Sequence, residues 1–204
     1  MGHSTSRAFR WRALIAVSLI VPALVAAALS RPIVTEGSIG DVLLELVAWP
    51  LFVGGTVLRV WATLYIGGRK GHRVICEGPY SLCRHPLYIG TFLIALSAAV
   101  MLASPTVLVS VGLLGIMYAL FVIPSEERHL TELLGDEYHA YRQNTPRFLP
   151  TFKKPISPDW IDVRVRSLWV EFTRSLRWLM IPMACELLST LRMDSHWPHL
   201  LNLP

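Results

Sequence analysis

Two polar segments of this apolar chain carry side chains that can bind a small charged molecule. In the first, residues 78–88, an arginine and a histidine stand directly before Pro86. Proline favours the first turn of a helix, so Arg84 and His85 are predicted to flank a helix N-terminus, where free N–H donors and the positive end of the helix dipole attract carboxylate or phosphate. The spacing fits equally well an interfacial loop whose arginine contacts lipid phosphates.

The second polar segment, Pro124-Ser125-Glu126-Glu127, follows an apolar stretch. Ser125 is a good N-cap, and two acids in the first turn would complement the dipole of a helix that begins there. Capping does not explain why two carboxylates stand at a membrane boundary, where desolvation is costly. Glu126 and Glu127 are therefore candidate binding residues as well. Gly135 is expected to interrupt the helix that follows.

The elements that position these segments are predicted to be membrane helices. Of 204 residues, 53% are hydrophobic and only 16% are charged, which argues against both a soluble enzyme and a disordered chain. Four apolar stretches, residues 13–30, 46–68, 87–103 and 106–123, are long enough to span a bilayer and must then be helical. We predict an all-α, polytopic membrane protein with a core over residues 1–150.

A tight hairpin is predicted between the third and fourth stretches. Only Ser104 and Pro105 separate them. A hairpin of two spans returns the chain to the face where it started. The two polar segments should therefore become neighbours at one membrane face.

Residues 151–204 are predicted to form a membrane-associated arm. Apolar residues from Ile161 to Leu179 recur at helical spacing and are interrupted by arginines, a pattern typical of an amphipathic helix lying in the interface. Pro182 and Glu186 argue against a fifth span, which is the alternative for this segment.

Basic residues predict which ends face the cytoplasm. The net charge is +5, and basic side chains cluster in the N-terminal tail, in residues 69–85 and in residues 128–154. The N-terminus, the polar segments and the C-terminal region are therefore expected on the cytoplasmic side. The first stretch is interpreted as a retained helix rather than a cleaved signal peptide, because it is longer than a signal core.

Several other classes of partner are disfavoured. There is no glycine-rich phosphate loop and no basic, aromatic-interleaved pattern, so nucleic acid is not expected; the basic excess suits membrane lipids instead. The three cysteines include no Cys-x-x-Cys pair, so neither a disulfide framework nor a metal site is predicted.

The polar segments also resemble a known family. Gly78-Pro79-Tyr80, Arg84-His85-Pro86, Tyr88 and Gly90 look like the cofactor motif of integral-membrane methyltransferases, the isoprenylcysteine carboxyl methyltransferase and phospholipid N-methyltransferase relatives. A downstream run extends the resemblance to about half the chain: Glu126-Glu127, Leu130, Leu134-Gly135, Tyr138, Tyr141, Pro146 and Pro150. The Arg-His-Pro part also occurs in NADPH-dependent membrane sterol reductases. A reductase and a non-catalytic membrane scaffold therefore remain alternatives.

The resemblance implies S-adenosylmethionine as cofactor and methyl transfer to a lipophilic acceptor that enters from the bilayer. Arg84 would hold the cofactor carboxylate, and Glu126 or Glu127 would accept from its ammonium or ribose. Arg147 and Arg59 are candidates for balancing the charge of the acceptor, which is an isoprenylcysteine carboxylate, an aminolipid headgroup or a small hydrophobic thiol. Arg59 lies inside an apolar stretch, and this position alone is compatible with two roles. Its side chain either snorkels to the membrane interface or contacts substrate. The predicted cofactor-binding residues are Gly78, Pro79, Tyr80, Arg84, His85, Pro86, Tyr88, Glu126, Glu127 and Tyr138.

Overall fold

The fold is a bundle of helices, as the sequence predicts. The computed structural model describes residues 3–67, 73–150, 155–161 and 163–201, with side chains from residue 13 onward. Within these ranges no strand forms, and the one β-bridge joins Ser30 to Leu201. The elements are α1 (His3–Leu29), α2 (Ile39–Ile66), a 3₁₀ turn (Gly78–Ser81), α3 (Pro86–Met101), α4 (Pro105–Met117), a π-helical turn (Tyr118–Val122), α5 (Ile123–Asn144), α6 (Val165–Trp178) and α7 (Met180–Met193).

The four predicted apolar stretches correspond to α1, α2, α3 and α4. Within the described part, two helices are long and apolar enough to cross a membrane, namely α2 and the helical stretch Pro105–Asn144 that joins α4 to α5; the apolar helices Ala13–Leu29 and Pro86–Met101 are shorter. Large apolar side chains such as Leu46 and Phe121 are 70% exposed, as expected of side chains that face lipid. Some residues used in the topology prediction lie outside the described residues or side chains: Arg7, Arg10, Arg12, Gly68, Arg69, Lys70, Lys153 and Lys154.

Helices α2 and α3 pack closely because each carries a glycine at their crossing. A Cβ on Gly90 would lie 2.7 Å from the Gly55 carbonyl oxygen and 2.6 Å from Cγ of Arg59. A larger residue at either position would therefore require the backbone of the facing helix to shift. This close approach brings Arg59 against the first turns of α3.

The chain does not begin a new helix at Ser125, so the capping interpretation of Ser125, Glu126 and Glu127 is wrong. The π-helical turn continues α4 directly into α5, and Val122 already has helical angles. A helix without an N-terminus there has no unpaired N–H groups for Ser125 to cap. The predicted interruption at Gly135 is confirmed, since this residue breaks α5 with a φ of 58°.

The C-terminal arm packs along the bundle. Helix α6 is amphipathic, as predicted, but α7 follows it after one residue, and Arg192 near the end of α7 donates to the carbonyls of Ser30 and Leu102 at 3.2 and 3.1 Å. The Leu201 amide then donates to the Leu29 carbonyl at 3.1 Å. The arm therefore reaches the end of the bundle opposite the polar segments. Helices α6 and α7 together run along the bundle, so the arm is more than the single amphipathic helix that the sequence predicts, and its place relative to the membrane stays a prediction.

Candidate functional site

A cavity of about 510 Å³ lies where the two polar segments meet. Its polar part is formed by the 3₁₀ turn, the start of α3 and the first half of α5. Its apolar part extends between the helices along Phe92, Ala95, Leu114 and Ala16. The hairpin of α3 and α4 thus brings the two segments together as predicted. Seven predicted site residues line the cavity: Arg59, Tyr80, Arg84, His85, Tyr88, Glu126 and Tyr138.

Glu127 lies behind this wall, at the centre of a buried cluster of cationic and imidazole groups. Its side chain is 2% exposed, and Oε1 lies 2.8 Å from Nη1 of Arg84 and 3.0 Å from Nε2 of His85. Oε2 accepts from Nη2 of Arg147 at 2.7 Å. Burial alone would raise the pKa of Glu127, but the hydrogen bonds from His85 and Arg147 and the charge of Arg84 outweigh it and lower the pKa to about 2. Glu127 is therefore an anion that holds Arg84 and His85 in place.

Arg84 lines the cavity. Its backbone amide donates to the Pro146 carbonyl at 2.9 Å, which fixes the residue. Nη1 forms an ion pair with Glu127 at 2.8 Å, whereas the buried Nε has no hydrogen-bond partner among the described residues. Unsatisfied buried donors are costly. Arg84 is therefore suited to an anionic group, such as a carboxylate, in the cavity.

The 3₁₀ turn supplies a second unsatisfied donor, the buried hydroxyl of Tyr80. The turn is held by Tyr141, whose hydroxyl donates to the Tyr80 carbonyl at 2.8 Å. Burial raises the pKa of Tyr80, so this hydroxyl stays protonated and available as a donor. Burial likewise raises the pKa of Cys83, to about 11, so its thiol is not ionised near neutral pH.

Three predicted cofactor residues shape the backbone and do not line the cavity. Gly78 has a φ of +58°, and a Cβ there would lie 2.5 Å from the ring of Tyr65. Its amide donates to the Ile156 carbonyl at 2.7 Å. Pro79 and Pro86 are fully buried, and Pro86 opens α3 as predicted, with His85 at the boundary.

Aromatic side chains form much of the remaining wall. The Tyr88 hydroxyl donates to Oε2 of Glu126 at 2.7 Å, and the rings of Tyr88 and Tyr118 meet edge to face with centroids 5.7 Å apart. Tyr138 enters the wall from beyond the break at Gly135. The sequence analysis missed Tyr118, because a tyrosine in an apolar stretch gives no signal of its own; the π-helical turn that begins at this residue is a feature common at functional sites.

Arg59 lines the cavity from α2 and is held there by the arm. Nε donates to Oε1 of Glu171 at 3.0 Å, and Nη1 donates to the Leu87 carbonyl at 3.1 Å. The guanidinium carbon also lies 4.5 Å from the ring centroid of Trp178. Arg59 is thus paired with groups of α3 and of the arm inside the bundle. Glu171 was missed by the sequence analysis, because its place in a charged helix gave no indication of its partner.

Arg147, the other residue predicted to handle the acceptor, is not part of the cavity wall. Its side chain is 32% exposed and contacts Glu127 from the opposite side. The structure therefore brings Arg59, and not Arg147, next to the cavity.

Comparisons with known proteins support the methyltransferase resemblance. Residues 48–132 match the isoprenylcysteine carboxyl methyltransferase family. The chain is 41% identical to a cobalt-zinc-cadmium resistance protein of Cupriavidus metallidurans over 47% of this chain and 44% of that one. It is 34% identical to the mouse protein-S-isoprenylcysteine O-methyltransferase over 40% of this chain and 29% of that one. It is 35% identical to a methanethiol S-methyltransferase of Crocosphaera subtropica over 37% of this chain and 28% of that one.

These matches are partial: the chain covers less than half the length of each of these relatives. No solved structure gives a significant match. The predicted resemblance to the integral-membrane methyltransferase superfamily is confirmed over the matched segment, which contains α3 and α4 and most of the cavity. Among the described residues, no group of three or more His, Cys, Asp or Glu side chains could hold a metal ion.

Proposed function

Because residues 48–132 match the isoprenylcysteine carboxyl methyltransferase family, we propose that this chain is a membrane enzyme that transfers a methyl group from S-adenosylmethionine to a lipophilic acceptor. One observation carries the proposal. One cavity combines the guanidinium of Arg84 and the hydroxyl of Tyr80, each with a buried donor that has no hydrogen-bond partner among the described residues, with an apolar extension between the helices. That is the arrangement needed to bring a charged cofactor against an apolar substrate.

The residues present fit such a cofactor. Arg84 would bind its carboxylate, and the Tyr80 hydroxyl would donate to an oxygen or nitrogen acceptor. The ring of Tyr138 and the acid of Glu126 would face its cationic groups, where both a carboxylate and an aromatic face are favourable. When bound, S-adenosylmethionine supplies the methyl group to be transferred.

The chain's own contribution is positioning and exclusion of water. Direct displacement needs an acceptor atom in line with the methyl group and no nucleophile from the protein. The raised pKa of Cys83 agrees with a mechanism that uses no thiolate. The apolar walls around Phe92 and Leu114 would hold the acceptor's hydrocarbon and keep water from the reacting atoms. We propose a carboxylate, amine or thiol at the head of that acceptor.

A labelling experiment tests the proposal. Purified protein is incubated with methyl-labelled S-adenosylmethionine and a total membrane lipid extract, and the products are separated. We expect label in a lipophilic product, and none when the extract is omitted. The reductase alternative instead predicts that NADPH, and not S-adenosylmethionine, raises the thermal stability of the protein. Stabilisation by neither cofactor would leave the scaffold alternative.

We also propose that the protein is multi-pass, with its N-terminus and cofactor site facing the cytoplasm. The support is the clustering of basic residues near the polar segments. Reporter fusions after Pro105 and after Pro150 should report opposite sides of the membrane, with the Pro150 fusion cytoplasmic. A fusion at the C-terminus should match the Pro105 fusion, because Leu201 lies at that end of the bundle. If the fusions after Pro105 and after Pro150 reported the same side of the membrane, the result would contradict this topology.

A further inference from the structure

The C-terminal arm lies outside the family match, yet it contributes a buried acid next to the cavity. The match ends at residue 132, and Glu171 follows nearly forty residues later. Glu171 is the buried residue of α6, with 3% exposure. The apolar residues Trp169 and Phe172 on either side are 65% and 52% exposed. Helix α6 thus presents a carboxylate to the bundle, while Trp169 and Phe172 stay exposed.

A purely structural packing surface would not be built this way. Burying an ion pair takes both charges out of water, and a well-packed apolar pair of similar volume is often at least as stable. Helix α6 has apolar residues at neighbouring positions that an interface of that kind could use. The buried acid is better explained by the orientation of the arginine it contacts.

Contacts on several sides fix the Arg59 guanidinium. Glu171 accepts from Nε, the Leu87 carbonyl and the Thr91 hydroxyl oxygen accept from Nη1, and the plane lies against Trp178. Nη2 has no hydrogen-bond partner among the described residues. Glu171 is in turn held by Arg174, whose Nη1 lies 2.7 Å from its other oxygen. The result is a rigid cation in the cavity wall.

We propose that Glu171 is a positioning residue that holds Arg59 against the polar head of the acceptor, so that the arm completes the acceptor side of the site. This inference rests on the proposed methyltransferase function. It assigns the arm a task that differs from that of the cluster around Glu127, which supports the cofactor side through Arg84. Loss of Glu171 should therefore change acceptor kinetics and leave cofactor affinity unchanged.

The test uses full-length protein in proteoliposomes, methyl-labelled S-adenosylmethionine and a serially diluted lipid extract as acceptor. Glu171→Gln keeps an oxygen that can accept from Arg59 but removes the negative charge that holds it. We expect this change to lower the rate at limiting extract by roughly tenfold, the low end of the range for a hydrogen bond to a charged group. Cofactor affinity, measured by calorimetry, should stay within about twofold of the wild type. Glu171→Asp should restore part of the rate. Glu186→Gln, in the same arm but at the far end of the bundle, is the matched control and should behave as the wild type.

A double variant separates positioning from folding. Arg59→Met with Glu171→Met removes both charges at similar volume, so the bundle should keep its thermal stability while transfer stays as low as in Glu171→Gln. Wild-type acceptor kinetics in Glu171→Gln, or recovery of the rate in the double variant, would overturn the inference and leave the proposed function standing. Failure of the wild type to transfer any label would overturn the proposed function itself, and the inference with it.

Discussion

Replacing Glu127 with alanine is expected to give the largest loss of stability of any single change at the site. The carboxylate is the shared partner of Arg84, His85 and Arg147. Removing one partner of a buried ion pair typically costs about 3–5 kcal/mol, because the remaining charge stays buried without compensation. The measurement is thermal unfolding of detergent-purified protein without ligand.

The same group should make stability fall in acid. The native cluster lowers the pKa of Glu127 from 4.5 to about 2, so the unfolded chain binds a proton there before the folded one does. Glu127 contributes roughly 3 kcal/mol to the free energy of unfolding, from the size of this pKa shift. The contribution is fully present above about pH 5. It decreases as the pH falls through the unfolded value and is lost near pH 2. Glu127→Ala should therefore flatten the acid limb of the stability profile.

Glu132→Gln is the matched control, because Glu132 lies on the same helix and is exposed. We expect it to leave the unfolding temperature within experimental error. A Glu127→Ala protein that melts like the wild type across this pH range would show that the cluster contributes nothing to the fold.

Local sequence signals were sufficient to predict the pairing of the two polar segments. Only Ser104 and Pro105 connect two apolar stretches that are each long enough to span a membrane. Two spans joined so closely must form an antiparallel hairpin. Pro86 marked the start of α3, and Gly135 marked the break in α5. Each of these features depends on backbone chemistry within a few residues, which a sequence shows directly.

Contacts between distant charges could not be predicted in the same way. The sequence shows that Glu127, Arg147 and Glu171 are charged, but it does not show which partners they meet. Glu127 and Arg147 were both expected at the ligands, and the structure pairs them with each other behind the cavity wall. Ser125 failed as a cap for a different reason: the π-helical turn keeps the chain helical through a segment where local preference favoured a new start.

The two sides of the cavity each contain an arginine paired with a buried glutamate. On each side an arginine lines the cavity, and a buried glutamate from a different element contacts it: Glu127 of α5 for Arg84, which precedes α3, and Glu171 of α6 for Arg59 of α2. In both cases the acid neutralises part of the charge, so that a cation can remain in an apolar setting. The arrangement predicts separable effects, with cofactor binding sensitive to one arginine and acceptor turnover sensitive to the other.

Arg84→Ala should accordingly reduce affinity for S-adenosylmethionine more than any other single change in the cavity wall. The variant removes the guanidinium, including the buried Nε that has no hydrogen-bond partner among the described residues. A hydrogen bond to a charged group is worth about 1.5–3 kcal/mol, which corresponds to a roughly 10- to 150-fold weaker Kd. Arg84→Lys should recover only part of this, because the planar fork that suits a carboxylate is lost.

Calorimetry on detergent-purified variants measures this effect, with thermal stability in the absence of ligand as the check on folding. Arg128→Ala removes an exposed arginine from α5 and should bind the cofactor like the wild type. Arg59→Met should also keep cofactor affinity while losing transfer to the lipid acceptor. Wild-type affinity in a folded Arg84→Ala protein would show that this guanidinium does not bind the cofactor, and would leave the lipid-phosphate interpretation of Arg84 standing.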